Sequence, residues 1–322
     1  MKQTLPYVLI TPARNEESYI EKTIQSMVSQ TTLPLQWIIV NDGSIDNTPK
    51  IIDRYAQQHS WIKRLDMPAH GDRSFAAKAH CFNQGYSSVK HLDFEVIGNL
   101  DADLSFDSDY LEFLLGKFIE MPDLGVAGTV FREEGYDSGT DSFEGENHVA
   151  GGCQLFRRKC FEEVGGYVPN HAGGVDWIAV TTARMKGWKT RSFQDKFFFH
   201  YRSLGTAERR SLAATFSYGE KDYYLGNHPL WEMLRVTYRL GKRPFITGAL
   251  ALAAGYIWKG LQRSKRPVSD ELITFHRHEE MLKLRMILGS FLQLRRIDNF
   301  HLMSRTRPPE DVQPKYKSGQ SK

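Results

Sequence analysis

The chain has 322 residues, of which 41% are hydrophobic and 25% are charged, as is ordinary for a globular protein. This balance excludes collagenous, low-complexity and wholly disordered classes, and the length allows one large α/β domain with appendages. The three cysteines lack CxxC spacing, so they indicate neither a zinc site nor a disulfide framework.

The net charge of +4 is unevenly distributed along the chain. Residues 1–227 carry 24 basic and 30 acidic side chains, whereas residues 228–322 carry 18 basic and 8 acidic ones. The basic C-terminal end favours an acidic partner, either an anionic membrane surface or a nucleic acid. The N-terminus has no cleavable signal-peptide pattern, so we expect a cytoplasmic protein, free or peripheral on the inner face of the plasma membrane.

Repeated βα units are predicted in the N-terminal third of the chain. Apolar runs rich in β-branched residues, typical of buried parallel strands, alternate with segments of helical spacing. The strands are predicted at 5–11, 35–41, 61–67 and 94–100, and the helices at 16–30, 48–58 and 74–89. This alternation predicts an α/β fold with a doubly wound, mostly parallel sheet and helices on both faces. The strand C-termini then lie along one ligand-binding edge.

The pattern becomes less regular after residue 104. We predict a helix at 110–120, a strand at 124–131, and a Gly-rich, acidic loop over the ligand-binding edge at 133–152. Residues 153–201 are interpreted as a helix, a turn, a second helix at 176–186 and a short aromatic strand.

The segment after Pro229 is basic and amphipathic, and it leads into the fourteen uncharged residues 245–258. A spanning helix needs about 20 apolar residues, so this segment is too short to cross a bilayer comfortably. Two interpretations stay open: an interfacial or re-entrant membrane element, and a buried helix at a domain or dimer interface. A last amphipathic helix is predicted near 270–288, and the Pro-rich tail 305–322 is expected to be disordered.

The strongest chemical signal is the pair Asp101 and Asp103, directly after the predicted strand 94–100. In an extended chain residues i and i+2 point to the same side, so both carboxylates can face one cation. A Mn²⁺ or Mg²⁺ ion held there could bind diphosphate oxygens and neutralise charge on a leaving group. The competing interpretation is a pair of solvated loop acids or a helix cap.

Two more polar turns, 11–16 and 41–44, follow strands of the same predicted sheet. Asp42 can accept hydrogen bonds from a base or ribose, and the helix N-termini after these turns favour phosphate. The alternative interpretation of the second turn is an ordinary β-to-α connection with Asp46 as the helix cap. Three such turns in order favour a nucleotide site.

The motifs TPARNEE, VNDGSIDNT, DAD and GGVDWIAVTTARMKGW resemble those of the family 2 glycosyltransferases of bacterial cell-surface polysaccharide synthesis, which have the GT-A fold. The resemblance covers roughly residues 5–205. It implies that Asp101 contacts the ribose or the metal and that Asp103 is a metal ligand. It also implies a uracil and ribose pocket made by Pro12, Ala13, Arg14, Glu16 and Asp42.

The family's catalytic base normally sits in an acidic pair before a helix, and here that pair is reduced to Val175-Asp176. Asp176 is therefore the candidate base, and it suits inverting transfer, which needs a carboxylate to take the proton from the acceptor hydroxyl. Its alternative role is a helix N-cap.

Six further residues are assigned from position in similar enzymes and from residue chemistry. His200, after the aromatic strand, is assigned as a metal ligand. Arg73 and Lys78 are assigned to the diphosphate of the donor, where positive charge stabilises the leaving group. The acceptor is assigned to Gly151, Gly152 and Trp177, the glycines because they allow close backbone approach to a sugar.

The resemblance implies a metal-dependent, inverting glycosyltransferase with a UDP-sugar donor and a glycan or polyprenyl-linked acceptor. Residues 1–227 would form its nucleotide-sugar-binding and catalytic domain, and residues 228–304 an amphipathic helical region for membrane association. No QxxRW motif follows Asp176, which favours transfer of one sugar per encounter over processive synthesis.

Four alternative functions compete with this one. A nucleotide-sugar pyrophosphorylase and an oxidoreductase are disfavoured because no Gly-rich loop follows the first strand. A nucleotide-sugar-binding or scaffold protein of the same fold that has lost activity is disfavoured, because the acidic residues Asp42, Asp101, Asp103 and Asp176 are retained. A nucleic acid is the less favoured partner of the basic C-terminal end. Its binding would weaken strongly as the salt concentration rises.

Overall fold

The computed structural model describes residues 4–68, 75–139, 145–170, 173–202, 212–242 and 244–292. The first four strands are β1 (Tyr7–Ala13), β2 (Gln36–Asn41), β3 (Ile62–Asp66) and β4 (Val96–Leu100). They are all parallel and lie in the order β3-β2-β1-β4. The helices between them are α1 (Ile20–Val28), α2 (Thr48–Gln58) and α3 (Phe75–Val89). The predicted repeat of βα units is confirmed.

The sheet continues with β5 (Leu104–Ser105), β6 (Leu124–Glu133), β7 (Tyr136–Asp137), β8 (Cys153–Arg157) and β9 (Lys189–His200). The full order is β3-β2-β1-β4-β8-β6-β9-β5, with β7 beside β6. Strand β8 runs antiparallel to both β4 and β6, and the two-residue strands β5 and β7 are also antiparallel to their neighbours. All other neighbouring strands are parallel, as predicted.

The expectation of a helix at the start of residues 153–201 was wrong for Cys153–Arg157, which forms β8. Helix α5 (Arg158–Val164) begins only after this strand. A short apolar run is compatible with a buried strand or a buried helix segment, and its spacing does not distinguish them. Here the segment forms a strand because it lies between β4 and β6, which supply hydrogen-bond partners on both of its sides.

Helices cover both faces of the sheet, because its side chains alternate between two apolar cores. Leu9 and Ile39 belong to the core under α1, α2 and α4 (Tyr110–Glu120). Ile10 and Val40 belong to the core under α3, α5 and α6 (Val175–Met185). Near-continuous apolar runs in β1 and β2 therefore bury both of their faces, as parallel strands covered on two sides require.

The C-terminal part contains α7 (Leu212–Leu225), α8 (Pro229–Arg239), α9 (Phe245–Leu261) and α10 (Asp270–Leu292). Helices α7 and α9 cross with their backbones in close contact at Gly219 and Gly255. A β-carbon would lie 2.0 Å from Leu252 O at Gly219 and 2.0 Å from Phe216 O at Gly255, so no larger residue fits this crossing without moving the helices apart. Within the described residues, no helix combines the length and apolar character needed to cross a membrane.

Helix α10 also packs against α6, the helix that carries Asp176. Arg184 of α6 donates two hydrogen bonds to the Glu279 carboxylate, at 2.8 and 2.9 Å, and both side chains are buried. A buried, bidentate pair of this kind is costly to break, because loss of either partner leaves an uncompensated charge. The division of the chain at residues 227 and 304 stays a prediction, and the tail 305–322 lies outside the described residues.

A buried acid in the C-terminal helices is expected to make stability depend on pH. Burial and the neighbouring charges of Asp222 and Glu280 raise the pKa of Glu232 to about 8, although Arg235 opposes them. A glutamic acid in the unfolded chain has a pKa near 4.3. As the pH rises, the unfolded chain therefore releases this proton at a lower pH than the folded protein does. Protonated Glu232 therefore makes its full contribution to the free energy of unfolding below about pH 4.3. That contribution falls by about 1.4 kcal/mol per pH unit as the pH rises to about 8.

Glu232→Gln keeps the shape of the side chain and removes this titration. We expect the melting temperature of the variant to exceed that of the wild type at pH 8 and to match it near pH 5, measured by circular dichroism across this range. Glu271→Gln, at the exposed start of α10, serves as the control. Parallel pH profiles for wild type and Glu232→Gln would contradict the prediction.

Candidate active site

The carboxyl ends of β1, β2 and β4 meet at one edge of the sheet. Pro12 and Ala13 at the end of β1 lie opposite Val40 and Asn41 of β2. Asp42 follows β2 and donates its backbone N–H to the carbonyl oxygen of Ala13 at 2.9 Å. The polar turns that the sequence predicted at strand ends therefore lie side by side.

Strand β5 brings Asp103 to His200. Leu104 pairs with His200 in the antiparallel contact between β5 and β9, and Tyr201 N–H donates to the Asp103 carbonyl at 2.9 Å. As a result, His200 Nε2 lies 3.3 Å from Asp103 Oδ1. Asp101, Asp103 and His200 each offer one ligand atom, and these three atoms lie within 4.8 Å of one another.

Two carboxylate oxygens and one imidazole nitrogen form a donor set that fits a divalent cation. Carboxylates suit Mg²⁺ and Mn²⁺, whereas imidazole suits transition metals better than the oxygen-preferring Mg²⁺. The remaining coordination positions would be open to phosphate oxygens and water.

Two basic residues neutralise these acids in the structure. Lys78 Nζ donates to Asp101 Oδ1 at 2.6 Å, and Arg202 pairs with Glu16 and lies 3.9 Å from Asp103 Oδ2. Burial alone would raise the pKa of Asp103, but His200, Lys78 and Arg202 outweigh it and hold that pKa below its ordinary value. Asp103 is thus a charged carboxylate, which is the form that binds a cation.

Glu133, at the end of β6, lies next to the Nδ1 atom of His200. Its side chain is fully buried, with 0% exposure, and its Oε1 lies 3.3 Å from His200 Nδ1. The sequence placed this residue at the start of a loop and gave no signal for a role, because His200, on the neighbouring strand β9, is 67 positions further along the chain. A carboxylate here is suited to fix the ring orientation and tautomer of a metal-binding histidine.

Glu133→Gln is expected to weaken Mn²⁺ binding by roughly 10-fold or more, because the amide supports His200 less well than a carboxylate does. Calorimetry with MnCl₂ measures this, with His200→Ala and the double variant for comparison. If Glu133 acts through His200, the second substitution changes nothing once His200 is absent. An equal further loss in the His200→Ala background would contradict this role.

The turns after β1 and β2 bind each other through Asn15. Its backbone N–H donates to Ser44 Oγ at 3.0 Å, and its Oδ1 accepts from Ile45 N at 2.9 Å. Arg14 Nη1 lies 3.7 Å from Asp42 Oδ2. Asp46 Oδ1 accepts from Thr48 N at 3.0 Å, but the N-cap of α2 is Asn47, so the interpretation of Asp46 as the helix cap was wrong. Five predicted nucleotide residues therefore lie in or beside two joined turns: Pro12, Ala13, Arg14, Glu16 and Asp42.

Gly151 and Gly152 lie between Asp101 and Asp176. Asp101 N–H donates to the Gly152 carbonyl at 2.8 Å. A β-carbon at Gly151 would lie 2.9 Å from Asp176 Oδ2, and one at Gly152 would lie 3.0 Å from the Phe198 ring. The glycines thus allow the base candidate and the metal-ligand candidates to approach each other.

Asp176 lies in the first turn of α6, and Gly174 rather than Asp176 is its N-cap. Burial would raise the pKa of Asp176, but the charges of His148, Lys221 and Lys78 and the N–H of Trp177 hold it below its ordinary value. The carboxylate is therefore ionised at neutral pH and able to accept a proton.

The structure does not place two of the residues assigned from the sequence, Trp177 and Arg73, in this cluster. Trp177 is 6% exposed and packs edge-on against His276 of α10, with ring centroids 4.5 Å apart, so its acceptor contact stays a prediction. Arg73 lies outside the described residues.

Comparison with known proteins relates the chain to glycosyltransferases. Residues 8–148 match the family model described as glycosyl transferase family 2. The chain is 31% identical over 129 residues to a chondroitin synthase of Pasteurella multocida, covering 40% of this chain and 12% of that protein. It is 31% identical over 112 residues to a poly-beta-1,6-N-acetyl-D-glucosamine synthase of Staphylococcus epidermidis, covering 35% and 25%. The chain therefore spans a minor part of these relatives.

Solved structures share the fold over most of the chain. The mannosyltransferase PcManGT from Pyrobaculum calidifontis, in complex with GDP-Man and Mn²⁺, has a TM-score of 0.53 at 18% identity and covers 92% of this chain and 82% of its own. TarS 1-349 of S. aureus, in complex with UDP-GlcNAc, has a TM-score of 0.51 at 13% identity and covers 90% and 93%. These likenesses support the expected GT-A fold. The motifs at one sheet edge, the family match over residues 8–148 and these relatives together support a family 2 glycosyltransferase.

Proposed function

We propose that this protein transfers a sugar from a nucleoside diphosphate sugar, with UDP as the expected nucleotide, to a glycan or polyprenyl-linked acceptor. The observation that carries the proposal is the cluster of Asp101, Asp103 and His200, with Gly151 between this cluster and the half-buried Asp176. Transfer from a nucleotide sugar needs these two chemistries side by side, one for the leaving diphosphate and one for the acceptor proton.

The donor half of the proposal uses the two joined turns and the cation site. Pro12, Ala13, Arg14, Glu16 and Asp42 would hold the base and ribose, and Asp101, Asp103 and His200 would hold Mn²⁺ or Mg²⁺. The cation would neutralise charge on the diphosphate. Lys78, which pairs with Asp101 in the structure, would supply a second positive charge beside the leaving group.

The acceptor half uses Asp176. Its ionised carboxylate would accept the proton of the acceptor hydroxyl as that oxygen attacks the anomeric carbon from the side opposite the diphosphate. Direct attack in one step inverts the configuration of that carbon. Gly151 and Gly152 would allow the backbone to approach the acceptor sugar closely beside Asp176.

The acceptor class is proposed from two observations. The relatives named above are synthases of polysaccharides, and the C-terminal helices are basic. An acceptor glycan on an anionic or polyprenyl lipid suits both. We therefore propose a protein that works peripherally at the inner face of the plasma membrane.

A nucleotide panel tests the donor half. Wild-type protein is melted with UDP, GDP, CMP or dTDP, each with Mn²⁺, Mg²⁺ or EDTA, and affinity is then measured by calorimetry. We expect UDP with Mn²⁺ to raise the melting temperature most, with the shift lost in EDTA. A metal-dependent response to another nucleotide would reassign the donor. No response to any nucleotide would reject the transferase and leave an inactive scaffold of this fold.

A further inference from the structure

Helix α9 (Phe245–Leu261) is apolar around its whole circumference. Its 17 residues include one charged side chain, Lys259. A helix that is apolar on all sides is normally buried on all sides. In this protein, the described residues bury one side of α9 only.

The buried side packs on α7. Gly248, Ala249, Leu252 and Gly255 are all buried, and the two glycines of the crossing, Gly219 and Gly255, bring the α7 and α9 backbones into contact. This side is therefore an ordinary intramolecular interface, as one of the two sequence interpretations of residues 245–258 proposed.

The opposite side is exposed among the described residues. Ile246, Leu250, Ile257 and Leu261 recur at helical spacing along one side of α9 and are 65%, 62%, 56% and 76% exposed. Phe245 and Trp258 flank them and are also about half exposed. We call these six residues the outer face of α9. Large apolar side chains gathered on one helical face mark an interaction surface, whereas scattered ones do not.

The chain around this face is basic. Between Glu232 and Asp270 the sequence has no acidic residue and eight basic ones, namely Arg235, Arg239, Lys242, Arg243, Lys259, Arg263, Lys265 and Arg266. Arg235 and Lys259 pair with Asp222 and Glu220 of α7. Arg263 and Lys265 are exposed just beyond the end of α9, where they can meet an anionic surface.

We propose that the outer face of α9 docks on an anionic lipid bilayer, with the helix lying in the plane of the interface. The apolar side chains would enter the acyl boundary, Trp258 would sit at headgroup level, and Arg263 and Lys265 would contact anionic headgroups. A helix of this length is shorter than the ~20 residues that spanning requires. The benefit of this docking for a lipid-linked acceptor rests on the proposed function, whereas docking itself does not.

The basic residues around the outer face of α9 favour an anionic bilayer over two other occupants of this face, a second copy of the chain and residues 293–322. A second copy of the chain would place one basic rim against another. Residues 293–322 carry seven basic and three acidic side chains, so that segment would also bring positive charge to a positive rim. An anionic bilayer is the occupant that complements both the apolar face and its rim.

Vesicle co-sedimentation of the full chain tests the proposal, with phosphatidylglycerol-containing vesicles against pure phosphatidylcholine. We expect binding to the anionic vesicles to fall at least 10-fold in Ile246→Ser/Leu250→Ser/Ile257→Ser and also in Arg263→Glu/Lys265→Glu. The matched control is Leu33→Ser/Leu35→Ser/Ile119→Ser, which removes three exposed apolar residues from the N-terminal part and should leave binding unchanged. Brominated lipids should quench wild-type fluorescence more than that of Trp258→Phe.

Each outcome separates this proposal from the function of the active site. Metal-dependent nucleotide binding, measured in the same samples, should be equal in all variants and so shows that they are folded. Vesicle binding that is unchanged in the Ser variant, or absent in the wild type, overturns the proposal. So does a wild-type dimer that the Ser variant converts to monomer, or hydrogen-exchange protection of α9 that disappears on truncation after residue 292.

Discussion

Asp103→Asn is expected to abolish metal-dependent nucleotide binding and to lower the transfer rate by about 1,000-fold or more. The asparagine keeps the size of this buried side chain but replaces an ionised ligand, held beside His200 Nε2 at 3.3 Å, with a neutral one. A cation contributes several kcal/mol to the stabilisation of a departing diphosphate, and about 4 kcal/mol corresponds to a factor of 1,000 in rate. Calorimetry with UDP and Mn²⁺, followed by donor turnover, measures both effects.

Asp107→Ala is the matched control for this substitution, because Asp107 is an exposed acid four positions along the chain. It should bind nucleotide and metal as the wild type does. Chelator-sensitive nucleotide binding of normal strength in Asp103→Asn would remove Asp103 from the metal site and would reassign the cation to other residues.

Asp176→Asn is expected to lower transfer by roughly 100-fold to 10,000-fold while leaving donor binding intact, which is the range of a lost general base. The amide fills the same space beside Gly151, where a β-carbon would lie 2.9 Å from Asp176 Oδ2. It cannot accept the acceptor's proton. The wild-type carboxylate can do so at neutral pH, because burial is outweighed by His148, Lys221 and Lys78, which keep its pKa low.

Single-turnover product formation with a bound UDP-sugar separates the two roles of this region. Glu271→Gln, an acid in the first turn of α10, controls for removal of a carboxylate at a helix start. If Asp176→Asn transferred at the wild-type rate, the base would have to lie elsewhere. If it lost donor binding to the same extent as turnover, Asp176 would belong to the donor site.

The regular elements of the N-terminal part were predictable from sequence because their patterns are local. The predicted bounds of the helices at 48–58 and 110–120 match those in the structure, since each combines apolar spacing with clear turn residues at its ends. The acidic turns after β1, β2 and β4 were also predictable, because the carboxyl ends of parallel strands share one edge. In these segments the neighbouring residues in the chain were sufficient.

Other features depend on contacts between distant parts of the chain. Cys153–Arg157 becomes a strand because β4 and β6 flank it. Glu133 reaches His200 because β6 and β9 are neighbours in the sheet. Neither pairing leaves a signal in the local spacing of residues.

The sequence by itself determined the family motifs, the βα repeat and the identity of the metal-ligand and base candidates, because strand and helix periodicity and residue chemistry are properties of short segments. Tertiary structure alone decided which of these residues meet. It placed Asp103 beside His200, buried Trp177 under α10, and divided the apolar helix α9 into a buried side and an exposed side. The physical reason is that burial and charge pairing are set by whatever packs alongside, and sequence spacing does not specify that neighbour.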